Sequence, residues 1–163
     1  MASGDTLVTW TALCNEPTAA SAGTFDTRNQ HPVIDLDADT AERVTFSAIM
    51  PRHYDSGGVT AYTHFAMSTA TSGCVDIAGA FERVSGCAQD IDTDGFAACN
   101  TLTNFAVPGT SGYVVAASIA FTNGAQMDSI VAGDYFRHRI TRIGATDGAE
   151  GDMEVLSVEI KET

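Results

Sequence analysis

Alternating carboxylates make the segment 90–95 the first candidate for metal chemistry, since Asp90, Asp92 and Asp94 precede a glycine in the order Asp-Ile-Asp-Thr-Asp-Gly. Carboxylates spaced in this way in a tight loop can converge on a calcium ion, and the glycine allows the sharp turn. However, the twelfth loop position, which should carry a bidentate acid, is Thr101, and no helix is predicted before the loop. We therefore interpret the segment as a solvated acidic loop, with calcium binding as the alternative.

A second alternating run of carboxylates comprises Asp35, Asp37 and Asp39. Alternate residues of a β-strand share one face, so one exposed strand face explains this run without a metal ion. The sequence therefore predicts no metal site and no cofactor.

The four histidines, His31, His53, His64 and His138, are scattered along the chain. His53 and His64 flank one loop and could meet across a hairpin, whereas His138 alternates with apolar residues and is expected to face the core. Histidine can serve as a base or a metal ligand, but isolated positions such as these favour a structural role.

Catalytic motifs with a fixed spacing are absent from the sequence. It contains no Gly-x-Ser-x-Gly, Walker A loop, dinucleotide fingerprint or His-Glu-x-x-His motif. A glycosidase pair of carboxylates has no sequence signature, because the two acids are defined by their distance in space. We therefore expect a protein that is not an enzyme and has no catalytic residues, and a glycosidase pair stays open as an alternative.

The four cysteines, Cys14, Cys74, Cys87 and Cys99, lack the close pairing of a zinc site or a redox motif. Free, partly buried thiols are the favoured interpretation. One disulfide among Cys74, Cys87 and Cys99 is the alternative, and it would form only outside a reducing compartment.

The charge of the chain is strongly negative, with 21 acidic residues against 8 basic ones and a net charge of −13. Nucleic-acid binding requires clustered basic residues, and an anionic membrane surface would repel the chain, so neither partner is expected. The sequence has no basic, apolar leader and no run of about 20 apolar residues, which predicts synthesis and folding in the cytoplasm. A partner with basic patches would suit this surface.

Alternation of apolar and polar residues runs through the whole chain and positions these candidate residues. It predicts nine strands, at 6–13, 32–36, 43–50, 59–68, 74–84, 101–107, 112–122, 134–141 and 153–161. An apolar period of 3.6 residues never persists, which indicates packed antiparallel sheets. We expect one all-β domain over residues 1–163, an antiparallel β-sandwich of jelly-roll type with about eight or nine strands and a short extended N-terminal arm.

Two sets of side chains, one of arginines and one of aromatic residues, suggest contacts with other groups. Arg137 and Arg139 are expected on the wet face of their strand, paired with Glu154 or Glu159 as sheet support or as part of an oligomer contact. A sugar-binding surface needs exposed aromatic rings, for which the sequence offers Trp10, Tyr54 and Tyr62.

Several segments, taken in order, resemble small and mostly uncharacterised jelly-roll virion proteins of tailed bacteriophages, of the head decoration (cement) or fibre type. The segments are GDTL at 4–7, LD at 36–37, VTF at 44–46, AMSTATSG at 66–73, FER at 81–83, IAFT at 119–122, AGDYFR at 132–137 and EVLSVEI at 154–160. They are structural motifs spread over nearly the whole chain, so they indicate a fold more than a task.

The resemblance implies a capsid decoration protein that binds and stabilises the head lattice of a virion. Its implied partners are the major capsid protein and copies of itself, as a homotrimer. The segments expected to reach the lattice are the arm at 1–5, the turn-rich excursion at 14–30 and the loop at 51–58. A carbohydrate-binding fibre or spike module and a self-assembling filament subunit are the alternatives.

Overall fold

The computed structural model describes residues 4–87, 89–145 and 147–163. This part of the chain contains ten strands and two short 3-10 helices, Ala12–Cys14 and Ala125–Met127. The strands are β1 Thr6–Thr11, β2 Thr24–Arg28, β3 His31–Leu36, β4 Glu42–Ile49, β5 Val59–Met67, β6 Cys74–Arg83, β7 Asn100–Ala106, β8 Val115–Phe121, β9 Tyr135–Arg142 and β10 Met153–Glu162. Neither of these helices is long enough to cross a membrane.

The strands form two antiparallel sheets that pack face to face. The six-stranded sheet has the order β2-β3-β10-β5-β8, with β1 paired to β10, and the four-stranded sheet has the order β4-β9-β6-β7. The prediction of an all-β antiparallel sandwich is thus confirmed, and each of the nine predicted strands is present. The core between the sheets holds the apolar halves of the alternating strands, including Phe46, Phe81 and Phe136.

The additional strand is β2, which lies in the excursion predicted to be an irregular, turn-rich segment. Its residues Thr24–Arg28 are almost all exposed, so they bury no alternate apolar residues that would mark a strand in the sequence. The two-residue turn Asn29-Gln30, in which both residues have positive φ (45° and 69°), joins β2 to β3. Such φ values are those of a tight turn between hairpin strands.

Of the predicted N-terminal arm at 1–5, residues 1–3 lie outside the described residues. Gly4 donates a backbone hydrogen bond to Glu162 (2.7 Å), and Glu162 donates one to Asp5 (2.9 Å). The start of the described chain therefore continues the pairing of β1 with β10.

Arg142, at the end of β9, holds the long connection between β9 and β10 in place. Its guanidinium is fully buried and binds both carboxylate oxygens of Asp147, at 2.8 and 3.0 Å. It also donates to the backbone oxygens of Leu36 (3.1 Å), Ala149 (2.7 Å) and Gly151 (2.7 Å). A buried charge is stable only with such a complete set of partners, and these bonds tie Asp147, Ala149 and Gly151 to the end of β9.

Candidate functional site

The alternating carboxylates do not form a metal site in the described residues, where no group of three or more histidine, cysteine or acidic side chains could hold a cation. Asp90 uses a carboxylate oxygen to accept the backbone N–H of Asp92 at 3.1 Å. Asp37 likewise accepts the N–H groups of Asp39 (2.7 Å) and Thr40 (2.9 Å), and these bonds lower the pKa of its carboxyl. The carboxylates of Asp37 and Asp90 therefore accept hydrogen bonds from backbone N–H groups of their own turns.

The cysteines and histidines are dispersed over the structure. Cys14, Cys74, Cys87 and Cys99 are free thiols, and Cys74 is half-buried while the other three are exposed. His53 lies in the loop before β5, and His64 lies five residues into that strand, about 16 Å along it. Among the described residues, neither imidazole belongs to a group of three or more ligand-type side chains that could hold a metal ion.

His138 is the one histidine of the described chain that is fully buried, as its alternation with apolar residues predicts. Its ring lies 4.3 Å from the ring centroid of Phe81 and stacks on Trp10 at 6.3 Å. Burial lowers the pKa of His138 to about 3, so the ring is neutral and belongs to the core.

The predicted partners of Arg137 and Arg139 are wrong. Because β9 and β10 lie in different sheets, neither Glu154 nor Glu159 is a neighbour of these arginines. Arg137 instead pairs with Glu16 (2.9 Å) and Glu82 (2.8 Å), and the Arg139 guanidinium stacks over the Phe96 ring.

Two of the three aromatic residues predicted for a sugar-binding surface are also unavailable. Trp10 is buried against Phe46, with the ring centroids 5.5 Å apart, and Tyr54 is buried with its hydroxyl accepting the Gly58 N–H. Tyr62 is half-exposed on β5.

The structure instead offers a groove on the outer face of the six-stranded sheet, which we call the groove throughout. It encloses about 350 Å³ between the tip of the β2–β3 hairpin and the segment that precedes β8. Its lining residues are Arg28, Asn29, His31, Val33, Ala66, Gly112, Val114, Glu154 and Leu156. Strand register explains the floor, since β3, β10 and β5 are neighbours in the sheet.

Arg28 is held across the groove by an ion pair and by backbone oxygens. Its Nη1 lies 2.5 Å from a carboxylate oxygen of Glu154 and donates to the Met67 carbonyl at 2.9 Å. Gly112 lies directly beside the guanidinium, where a Cβ would approach Arg28 to 2.9 Å, and it has a φ of +80°. Both the conformation and the lack of space explain a glycine at this position.

Asp35 adds a second carboxylate beside Glu154, because the two residues are opposite each other in the β3–β10 ladder. Burial, together with the carboxylates of Glu154 and Asp26, raises the pKa of Asp35 to about 6. One Asp35 oxygen is buried and has no hydrogen-bond partner among the described residues. Perturbed carboxylates of this kind are typical of binding and catalytic sites.

The remaining walls of the groove combine apolar and polar groups. Val33 and Ala66 are buried in the floor, and Val114 is exposed at the rim. Tyr113, between the lining residues Gly112 and Val114, is 66% exposed. The groove therefore offers amide, imidazole and guanidinium donors, the Glu154 carboxylate as an acceptor with Asp35 opposite it, and apolar surface for a C–H face.

Comparisons with known proteins support the fold. No protein-family model and no curated protein matches the chain. Among solved structures it is similar to the carbohydrate-binding module CBM6cm-2 from Cellvibrio mixtus lichenase 5A in complex with cellotriose, with 13% identity, a TM-score of 0.51, and coverage of 98% of this chain and 99% of that one. It is also similar to the C-terminal CBM6 of LamC from Zobellia galactanivorans, with 11% identity, a TM-score of 0.54, and coverage of 97% and 100%.

A third similar structure is the CBM22-1 xylan-binding domain of Paenibacillus barcinonensis Xyn10C, with 12% identity, a TM-score of 0.50, and coverage of 98% and 96%. These neighbours are jelly-roll carbohydrate-binding modules and not phage virion proteins. The comparisons therefore support the jelly-roll fold that the sequence predicts and do not support the resemblance to phage proteins.

Proposed function

We propose that this protein is a carbohydrate-binding module and that the groove is its binding site. The observation that carries the proposal is that Arg28 and Glu154 meet in a groove with an apolar floor. Asp35 lies opposite Glu154 in the β3–β10 ladder, and the exposed Tyr113 stands between the lining residues Gly112 and Val114. Sugars present hydroxyl groups around an apolar C–H face, and this combination of groups suits both. The neighbours described above, one in complex with cellotriose and one a xylan-binding domain, support the same class of ligand.

The groove residues would divide the recognition of a sugar between them. The carboxylates of Glu154 and Asp35 accept hydrogen bonds from hydroxyl groups, and Arg28, Asn29 and His31 donate to sugar oxygens. Because Arg28 is already fixed by Glu154 and the Met67 carbonyl, it loses little conformational freedom on binding. A volume of about 350 Å³ is in the range of small-ligand pockets, roughly 300–1,000 Å³.

We propose binding without catalysis, so that the oligosaccharide is retained intact. The head-decoration role implied by the phage resemblance has no support in the comparisons, and no contact of the described residues favours it over sugar binding. The alternative of a carbohydrate-binding module is therefore the function that we adopt.

The proposal is tested by isothermal titration of the protein with a panel of neutral oligosaccharides, including cello-, xylo- and laminari-oligosaccharides. We expect saturable binding to at least one of them. Tyr113→Ala and Glu154→Gln should each weaken that binding about tenfold or more, because each lost hydrogen bond or apolar contact costs about 1–3 kcal/mol in a desolvated site.

Tyr135→Ala is the matched control, because this tyrosine is also exposed (37%) but lies on β9 of the other sheet. Its affinity for the same oligosaccharide should equal that of the wild type. Absence of binding across the panel, or equal losses in the Tyr113 and Tyr135 variants, would contradict the proposal. Release of shorter sugars during the titration would contradict binding without catalysis.

A further inference from the structure

A second cavity, which we call the arginine pocket, lies on the outer face of the four-stranded sheet. It encloses about 270 Å³ and is lined by residues 17–20, Arg43, Thr45, Phe96, Arg137 and Arg139. The register of β4 with β9 places Arg43 opposite Thr141 and Thr45 opposite Arg139. Residues opposite each other in a ladder share one face, so the three arginines lie on the same face of the sheet.

The three arginines differ in how their charges are balanced. Arg137 is neutralised by Glu16 and Glu82, at 2.9 and 2.8 Å. Within the described ranges, no carboxylate lies in ion-pair distance of Arg43 or Arg139. The pocket therefore carries two positive charges that have no carboxylate partner among the described residues.

The unpaired guanidiniums are also partly out of water. The Nε atoms of both Arg43 and Arg139 are buried and have no hydrogen-bond partner in the described part of the chain. The Arg139 Cζ lies over the Phe96 ring, 4.2 Å from its centroid, a cation–π contact that holds the guanidinium against this wall of the pocket. Within the described residues, the one hydrogen bond of this guanidinium is a long one of 3.9 Å from Nη2 to the Cys99 sulfur.

This arrangement is unusual for a chain with 21 acidic residues and only 8 basic ones. Buried donors without acceptors are costly, and two guanidiniums on one face repel each other. An oxyanion in the pocket removes both penalties, since the planar fork of an arginine matches the two oxygens of a carboxylate or sulfate group.

We propose that the arginine pocket is an oxyanion site that binds a carboxylate or sulfate group through Arg43 and Arg139. The site is on the opposite sheet from the groove, uses different residues and takes a ligand of different charge. The oxyanion proposal is therefore independent of the proposal that the groove binds sugar, and the failure of either one leaves the other unaffected. The oxyanion is either a free inorganic ion or a substituent of an acidic sugar, and the titration below separates these two sources.

The test is a calorimetric titration of the full chain with sodium sulfate, methyl glucuronide and methyl glucoside, at an ionic strength held constant with sodium chloride. We expect saturable binding of sulfate and of the glucuronide and none of the neutral glucoside. Arg43→Gln and Arg139→Gln should each weaken the binding at least tenfold. Arg52→Gln, which removes an exposed arginine outside the pocket, and Tyr113→Ala in the groove should leave it unchanged.

The remaining outcomes either support the oxyanion site or overturn it. Binding of sulfate without the glucuronide supports the oxyanion site and assigns it to a free ion. No saturable binding of either anion, or equal binding by the wild type and the Arg43→Gln/Arg139→Gln double variant, overturns it. If Arg139→Gln does not fold, as judged by circular dichroism, Arg139→Lys keeps the charge but loses the fork, and undiminished sulfate binding by that variant overturns the proposal as well.

Discussion

Replacing the buried His138 should change how the stability of the protein depends on pH. The folded state holds this imidazole neutral, with a pKa of about 3, whereas the unfolded chain has the ordinary value of 6.5. Below pH 6.5 the unfolded state therefore binds a proton that the folded state does not, and stability falls as pH is lowered from 6.5 towards 3. His138→Leu, which removes the titrating group and keeps a similar volume, should remove this part of the pH dependence.

The size of the effect follows from the pKa values. Each pH unit below the unfolded pKa corresponds to about 1.4 kcal/mol, so between pH 7.5 and 5.0 the His138 imidazole removes about 2 kcal/mol from the wild type. At pH 5.0 the protein is still above its isoelectric point near 4.3 and keeps a negative charge. The carboxyl groups titrate in both the wild type and the variant, so their contribution to the pH dependence of stability cancels in the comparison.

Urea unfolding of the wild type and of His138→Leu at a series of pH values measures the difference. The variant should lose about 2 kcal/mol less than the wild type between pH 7.5 and 5.0, whatever its stability at neutral pH. His53→Leu, which removes an exposed imidazole in a loop, should run parallel to the wild type. If the His138→Leu variant also runs parallel to the wild type, the inference that folding keeps this ring neutral is wrong.

Three further changes test other parts of the structure. Asp147→Asn leaves the buried Arg142 without its counter-charge and should lower the free energy of unfolding by about 3–5 kcal/mol in urea; a loss under 1 kcal/mol would refute the buried ion pair. The raised pKa of Asp35, about 6 against 3.8, means that its contribution to stability falls as pH rises through 6. Asp35→Asn should therefore melt above the wild type at pH 8, and this difference should shrink by pH 5; a constant difference would contradict the shift. Gly73→Ala places a Cβ against the Gly148 carbonyl at a φ of +93° and should cost more than about 1 kcal/mol in thermal unfolding, whereas an unchanged melting temperature would show that this turn can adjust.

Most strands of this protein can be predicted from the sequence because they bury one face. Alternation such as that of β8, where every second residue is buried, is visible without a structure. The strand β2 could not be predicted from the sequence, because it is exposed on both faces and shows no alternation of buried and exposed residues. The same alternation also misleads at Tyr113, which continues the pattern of β8 but lies before the first residue of that strand and is exposed.

The groove could not be predicted because its parts are far apart in sequence. Arg28, Gly112 and Glu154 meet only because β10 lies between β3 and β5 in the sheet. The pairing of Asp35 with Glu154 depends on the same strand order. Alternation determines which face a residue occupies, but it carries no information on which strands become neighbours.

The arginine pocket has a similar origin. The sequence places Arg137 and Arg139 correctly on a wet strand face, yet the sheet in which β9 lies decides their partners. Arg43 joins them from β4, and Phe96 joins them from the connection between β6 and β7. That Arg43 and Arg139 have no carboxylate partner can be recognised only from the ion pairs of the described chain.

Sugar binding in the groove is tested most directly by an amide ¹H–¹⁵N correlation spectrum of the protein, titrated with the oligosaccharide that binds most tightly in calorimetry. We expect saturating shifts of the amides around the groove, at Arg28, Asn29, Tyr113 and Val114, and unchanged amides at Phe96 and Arg139. Saturating shifts confined to another surface, or no shifts with any neutral oligosaccharide at millimolar concentration, would contradict the assignment of sugar binding to the groove.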